Sequence, residues 1–417
     1  MSGHCRLTVA FRTLGCKVNR VESEAVAAEL LGRGVVVAEE ADAKVVIINT
    51  CTVTGEADAK ARKAVRHVLR LPQEPLVIVT GCLAAVDADA VKALGARVVV
   101  ESDKSKVAAR VAEHFSLPDS AAPALRVGST AFRTRVSIKI EDGCDNFCTY
   151  CIVPHARGVP RAEPLADVVA EASSLVSAGV TELVLTGINL GRYRDSITGA
   201  DLADLISAVA ATGVTRLRLS SIEPPDLTPR LLDALAETLS ACHHLHVPLQ
   251  SGSDSVLRAM GRCYTTAQYR EFVSAARVAL PGLTLTTDVI AGFPTETAEH
   301  HAESLAFVEE IGFTKLHVFR YSARPGTPAA DMAQIDPIVR ADRATQLRDL
   351  GDRQRREFLA AHVGERIELL IETVDGDFAT GTTRDYVRVS LAGTGFARGE
   401  VHTADVVGVE NGRLLAR

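Results

Sequence analysis

Apolar and polar positions alternate along this chain in three different ways, and each predicts a different architecture. From residue 7 to about 115, short β-branched runs (Leu7 to Phe11, Val45 to Asn49, Leu76 to Thr80, Arg97 to Val100) are separated by helical stretches at Glu22 to Leu31, Glu56 to Leu71 and Asp87 to Leu94. Runs apolar throughout suit strands buried on both faces, and their alternation with helices predicts a parallel, doubly wound α/β sheet. Asn19 with Glu22, and Thr54 before Glu56, have the spacing of helix starts. From Arg135 to Phe319 the alternation resumes, with strands at Val136 to Ile140, Glu182 to Thr186, Arg216 to Ser220, His243 to Val247, Leu283 to Ile290 and Lys315 to Phe319. Helices such as Ala166 to Ser177, Thr228 to Leu239 and Tyr269 to Ala279 fall between them. Such βα units predict a partial or complete parallel barrel whose reactive face lies at the carboxyl ends of the strands. Residues 338 to 361 read as a solvated bridging helix in which arginines are diluted by acids. Beyond it, Glu365 to Ile371, Phe378 to Thr382, Tyr386 to Leu391, Glu400 to Thr403 and Asp405 to Val409 are short strands separated by glycines, the pattern of a small antiparallel barrel. Ser116 to Thr130 lacks periodicity and reads as a linker. The expected domains are 1–118, 130–360 and 361–417.

Composition narrows this picture. A chain of 417 residues, 47% hydrophobic, is long enough for two or three cores. Its net charge of −6 and pI of about 6.1 make it no general polyanion binder, so any nucleic-acid contact must be a local patch. Met1 to Phe11 contains no apolar signal-like core and nowhere do eighteen apolar residues follow one another, which leads to the expectation of a soluble, cytoplasmic protein without a membrane partner. Nine cysteines in such a chain argue for reduced thiols used as ligands rather than a disulfide framework.

The cysteines carry the chemistry. Cys144, Cys148 and Cys151 stand at offsets of four and three in a loop between Gly143 and Pro154. Soft thiolates suit zinc or iron–sulfur clusters; a closed zinc site wants four ligands, whereas three thiolates on a 4Fe-4S cluster leave one iron open to another molecule. A buried cysteine cluster, a disulfide, or a zinc site completed by His155 are the blander alternatives. In the N-terminal region Cys16, Cys51 and Cys82 each follow the carboxyl end of an expected strand, and in an open α/β sheet those ends line one crevice. Three thiols distant in sequence should therefore meet and hold a second metal cluster.

Cys144-x-x-x-Cys148-x-x-Cys151, with Tyr150 before the last cysteine, resembles the signature of the radical S-adenosylmethionine (SAM) enzymes. Together with the N-terminal trio it resembles their methylthiotransferase branch. Leu14-Gly15-Cys16-Lys17-Val18-Asn19 and Asn49-Thr50-Cys51-Thr52-Val53-Thr54 look like the form found in MtaB-type enzymes, which add a methylthio group to threonylcarbamoyladenosine beside the anticodon of tRNA. His246 to Asp254, Arg262 to Thr265, Asp288 to Pro294 and Tyr321 to Ala329 extend the likeness, and Thr382 to Val387 resembles a C-terminal TRAM module. The resemblance implies two 4Fe-4S clusters, with SAM as both radical source and methyl donor. It also implies a tRNA substrate, a flavodoxin-like or ferredoxin-like electron donor, and a sulfur source. Loops after the barrel strands would contact SAM. There Tyr150 could rest on adenine, Gly187 could admit the backbone to the ligand, and Glu223, Gln250 and Asp288 could accept or donate hydrogen bonds. An apolar, water-poor barrel interior would protect the radical. Cys5, Cys242 and Cys263 match no ligand position.

Two rivals follow. An enzyme of the same chemistry acting on ribosomal protein S12 would explain why residues 362–417 hold nine acids against six arginines and no lysine. A noncatalytic RNA-binding protein with structural zinc is the other. The cleanest basic stretch is Lys60 to Arg70, in which Lys60, Lys63, His67 and Arg70 fall on one helical stripe.

Overall fold

The computed structural model describes residues 6–118 and 134–417. Cys5 and residues 119–130 of the expected linker lie outside the described residues. The N-terminal strands β1 (Thr8–Thr13), β2 (Val36–Val37), β3 (Val45–Thr50), β4 (Leu76–Gly81) and β5 (Val98–Val100) pair in parallel in the order β2-β1-β3-β4-β5. Strand β3 is buried at every position. Val46 and Ile48 pack towards the helix Gly55–Val68, while Val45 and Ile47 pack towards the helices Lys17–Gly32 and Val107–Phe115. Period-two alternation thus fills both faces of the sheet with one uninterrupted apolar run.

Local starts differ from the pattern in places. Thr54 caps its helix, accepting from the Ala57 amide. The first helix begins at Lys17 with Cys16 as its N-cap residue, so Asn19 is inside it. The Asn19 side chain instead donates to the carbonyls of Leu14 (2.8 Å) and Thr50 (2.9 Å), tying two strand ends together. The expected helix Asp87 to Leu94 is present in shorter form as Ala88–Lys92, and a further short helix, Cys82–Val86, precedes it.

In the centre, β6 (Arg135–Lys139), β9 (Glu182–Thr186) and β10 (Arg216–Leu219) form one parallel sheet, and β11 (His244–His246), β12 (Thr284–Ala291) and β13 (Lys315–Arg320) another. A short antiparallel pair, β7 (Glu141–Asp142) and β8 (Arg161–Ala162), brackets the cysteine loop. Parallel bridges Leu217–Ala241 and Ser221–His246 join the two sheets, so the six strands curve into an open barrel with β6 and β13 at its edges. Leu183, Leu185, Leu217, Leu219, Leu245 and Leu285 face the helices and form the main core.

Their neighbours in sequence face inward, and they are not apolar. Glu182 and Arg216 are fully buried, and Arg218 nearly so. Glu182 bridges Arg216 and Arg218 at 2.9 Å each, while His246 lies 3.0 Å from Thr286 Oγ1 and 3.3 Å from Asp288 Oδ1. The expected apolar interior is therefore corrected. The reason is the C-terminal unit, whose turn Thr382 to Tyr386 offers carbonyls to the barrel: Arg216 donates to Thr382 O (3.0 Å), and Arg218 to Arg384 O (2.9 Å) and Thr383 O (3.2 Å). Burial of the two guanidinium groups is offset by the shared Glu182 carboxylate and by these carbonyls, two for Arg218 and one for Arg216, whose Nη2 is left without a hydrogen bond.

The helix Pro337–Ala361 is not simply solvated. Ala344, Leu347 and Leu350 join the main core, and buried Arg343 donates to Glu296 at 2.7 Å. Last, β14 (Arg366–Asp375), β15 (Phe378–Thr383), β16 (Arg388–Ala392), β17 (Val401–Glu410) and β18 (Arg413–Ala416) close a barrel in the order β14-β15-β16-β18-β17. The two strands expected between Glu400 and Val409 are one bulged strand, and the closing strand is β18, which the pattern does not announce. Among the described residues, no helix is long and apolar enough to cross a membrane.

Candidate active site

Three of the six candidate cysteines are thrown into position by the same local device. Gly15, Gly81 and Gly143 precede Cys16, Cys82 and Cys144 with φ of +99°, +93° and +93°. A side chain at Gly81 would stand 2.3 Å from Thr50 O and 2.4 Å from Asn49 Oδ1, and one at Gly143 would stand 2.2 Å from Val159 O. Only glycine satisfies both the left-handed backbone and that closeness. At Gly15 the obstacle is Cys51 itself, whose Sγ would lie 3.1 Å from an added Cβ. Residue 51 is thus packed against the turn that presents residue 16. Burial raises the Cys51 thiol, and the neighbouring thiols of Cys82 and Cys16 raise it further.

In the barrel loop, Cys144 donates its amide to Gly158 O and Cys151 to Cys148 O, both at 2.9 Å, which folds the loop back on itself. Burial pushes the Cys151 thiol up to about 12, with Cys148 and Cys144 adding to it. Among the described residues, no three His, Cys, Asp or Glu side chains close to the spacing of one metal ion, and His155 is exposed. The donor sets, thiols alone, fit a cluster better than a zinc ion.

Charged groups hold these loops. Arg262 Nη1 donates to Cys148 Sγ at 3.2 Å, its Nη2 pairs with Glu223, and its Nε bonds Tyr264 Oη at 3.2 Å. Glu223 is therefore held beside the cysteine loop and is not a loose surface carboxylate. Glu141, fully buried, accepts the amides of Ile188 (2.9 Å) and Asn189 (2.8 Å), and burial lifts its carboxyl to about 7. The smallness of Gly187 is accounted for by this carboxylate, which would lie 2.8 Å from an added Cβ. Tyr150 packs edge-on to Phe293 in a satellite core with Val256, Met260 and Tyr321. Gln250 has φ +66°, and its backbone bonds both ways across to β12. Asp288 lies inside β12 and faces His246. The five residues expected to touch SAM thus occupy two neighbourhoods: Tyr150, Gly187 and Glu223 around the cysteine loop, and Asp288 on β12 with Gln250 paired alongside that strand.

Arg157 couples the two cysteine trios. It ends the short helix Val153–Arg157 that follows Cys151, and its side chain is only 1% exposed. It reaches Asp142 (2.7 Å) on its own unit, and Glu22 (2.9 Å) and Asn19 (2.5 Å) on the N-terminal helix behind Cys16. Burial works against the cation, but Cys82, Glu22 and Asp142 raise its pKa. Arg324 makes a second clasp, donating to Thr52 Oγ1 at 2.9 Å and pairing with Asp58.

Comparison with known proteins gives the family. The family described as "Uncharacterized protein family UPF0004" matches residues 8–100, and the radical SAM superfamily matches residues 138–308. The threonylcarbamoyladenosine tRNA methylthiotransferase MtaB of Bacillus subtilis is 37% identical over 93% of this chain and 91% of its own length. This chain belongs to the MtaB-type radical SAM methylthiotransferase family. A tRNA-2-methylthio-N(6)-dimethylallyladenosine synthase of Mycolicibacterium vanbaalenii is 38% identical over 96% of this chain and 84% of its own length. Among solved structures, the radical SAM methyltransferase TsrM of Kitasatospora setae shares the fold, with a TM-score of 0.58 at 17% identity over 78% of this chain and 77% of its own. As a radical SAM enzyme, this methylthiotransferase uses an iron–sulfur cluster and SAM.

Proposed function

We propose that this methylthiotransferase places a methylthio group on threonylcarbamoyladenosine beside the anticodon of tRNA, in the cytoplasm. Cys144, Cys148 and Cys151 would hold the cluster that binds SAM, and Cys16, Cys51 and Cys82 a second 4Fe-4S cluster. When bound, the clusters and SAM supply the electron, the radical, the sulfur and the methyl group. An electron donor of flavodoxin or ferredoxin type and a separate sulfur source complete the partners. The domain limits 1–118, 130–360 and 361–417 are part of the same reading.

The observation that carries it is the pair of thiol trios, set by equivalent glycine turns on two sheets and locked by Arg157. The chain's own residues would position the reaction. Arg262 fixes Cys148 against Glu223, Glu141 fixes the loop at residues 187–189, and Arg157 fixes the spacing between the trios. The barrel interior, carrying Arg218, His246 and His317, suits a substrate with charged and hydroxyl groups better than a hydrocarbon.

The acidic C-terminal barrel does not oppose RNA. A cavity of about 690 Å³ opens between it, β13 and the helix Pro337–Ala361, and Lys315, Arg348, Arg355, Arg388 and Arg413 line it against Asp352 and Asp385. A second cavity, of about 520 Å³, shares Arg348 and Phe319 with it and reaches Lys60, Gly15 and Cys51. Positive charge with an exposed aromatic, leading to a cysteine trio, suits a single-stranded RNA loop and supports tRNA over S12. Mass spectrometry of tRNA nucleosides from a deletion strain tests the reading. Loss of the methylthio group from threonylcarbamoyladenosine is expected. Its retention, with loss from S12 or from dimethylallyladenosine, would refute it.

A further inference from the structure

We propose that Lys17 selects the substrate by pairing with a carboxylate on the N6 substituent of the adenosine, an inference that rests on the function proposed above. The two modified adenosines named among the relatives differ in this group: a threonylcarbamoyl group ends in an amino-acid carboxylate, a dimethylallyl group in hydrocarbon.

Lys17 stands at the mouth of a cavity of about 320 Å³ between the N-terminal helix, the barrel edge β6 and the C-terminal barrel. Three cations share one ring there. Lys17 Nζ lies 5.8 Å from the centre of Tyr386, the guanidinium of Arg135 5.4 Å and that of Arg218 4.8 Å. Two of the three are already answered by carboxylates: Arg218 by Glu182 at 2.9 Å and Arg135 by Glu372 at 2.6 Å. Among the described residues, Lys17 makes no side-chain hydrogen bond or ion pair; Glu182, whose charge reaches it, is already shared by Arg216 and Arg218, and Glu372 on the cavity wall is taken by Arg135. A cation held against two others is repelled until an anion joins it. One carboxylate of substrate would complete the set.

Position favours this occupant. Lys17 follows Cys16 directly, so the backbone turn that presents one thiol of the trio proposed to carry the methylthio sulfur also presents this ammonium. Lys17 is also the first residue of the helix Lys17–Gly32, which anchors its backbone. A dimethylallyl group would leave the ammonium unanswered, and a neutral substituent would be selected against by the same charge.

The test uses the holoenzyme and two synthetic anticodon stem-loop RNAs, one with threonylcarbamoyladenosine and one with its methyl ester, and measures binding by fluorescence anisotropy. A charged hydrogen bond predicts that the wild type binds the acid about 10- to 100-fold more tightly than the ester. Lys17→Met should bind both RNAs with the ester's affinity, and Lys17→Arg should restore the preference, with iron and sulfide contents unchanged. Equal binding of acid and ester by the wild type, or a full preference in Lys17→Met, would overturn the proposal. The two readings fail separately. If the wild type methylthiolates neither RNA, the proposed function is wrong; if it methylthiolates both with equal kcat/KM, only the role of Lys17 is wrong.

Discussion

Replacing Arg157 by methionine removes the cation that joins the N-terminal helix to the cysteine loop while keeping its packing volume. The wild-type guanidinium is 1% exposed and bonds Glu22, Asp142 and Asn19 at once. Breaking a buried ion pair from one side typically costs 3–5 kcal/mol, because the partner charge stays behind unpaired. Here Glu22 keeps Lys104 at 2.9 Å and Asp142 keeps Lys139 at 3.5 Å. The loss should therefore fall at the low end, about 3 kcal/mol. Urea unfolding of the anaerobically purified protein measures it, in a cycle of Arg157→Met, Glu22→Gln and the double variant. The geometry predicts a coupling of at least about 1.5 kcal/mol, since removing both partners spares an orphaned charge. Arg157→Lys should recover only part of the loss, because one ammonium does not reproduce the fork that spans three acceptors. A loss below about 1 kcal/mol, or strict additivity in the cycle, would show that Arg157 is no clasp.

Gly81→Ala should cost more than about 3 kcal/mol in thermal unfolding, since left-handed strain adds to a backbone clash, whereas Gly34→Ala, at φ +83° with open space around it, should cost only about 1–2 kcal/mol. Glu141, with its carboxyl lifted from 4.5 to about 7 by burial, binds a proton more tightly when folded than when unfolded. Its contribution is fully present below pH 4.5 and is lost as pH rises to about 7. Relative to Glu141→Gln, the wild type should therefore lose about 2 kcal/mol between pH 5 and 8 in urea unfolding, and a constant difference would contradict this. Cys148→Ala should abolish SAM cleavage, followed as 5'-deoxyadenosine, while Cys51→Ala should keep cleavage and lose methylthio product; product from Cys51→Ala would break that division of labour.

Much of this architecture is written in local pattern. The runs Val45 to Asn49 and Glu182 to Thr186 announce doubly covered strands, and cysteines just past strand ends announce a shared crevice. Strand β2 is not legible, because two exposed valines carry no periodicity. Strand β18 is missed for a related reason: four residues after Gly412 look like a fraying end until the barrel closes on them. The polar barrel interior escapes for a different reason. Glu182, Arg216 and Arg218 read as surface charge, and only the carbonyls offered by Thr382 to Arg384 make their burial tolerable. Arg262 and Glu141 lie in stretches that the resemblance picks out, but their roles, like that of Arg157, are set by partners that only the fold brings together. The motif around Thr382 to Val387 is visible as a resemblance, and the fold supplies its physical reason: it is the turn that docks into the barrel.

The central claim is that two separate thiol trios each hold an iron–sulfur cluster. Iron and sulfide counts with Mössbauer spectra of the anaerobically reconstituted protein test it most directly, using the wild type and two triple variants, Cys16/Cys51/Cys82→Ala and Cys144/Cys148/Cys151→Ala. The account predicts about eight irons and eight sulfides per wild-type chain and about four of each in either triple variant. About four irons in the wild type, lost entirely from one triple variant and untouched in the other, would contradict it.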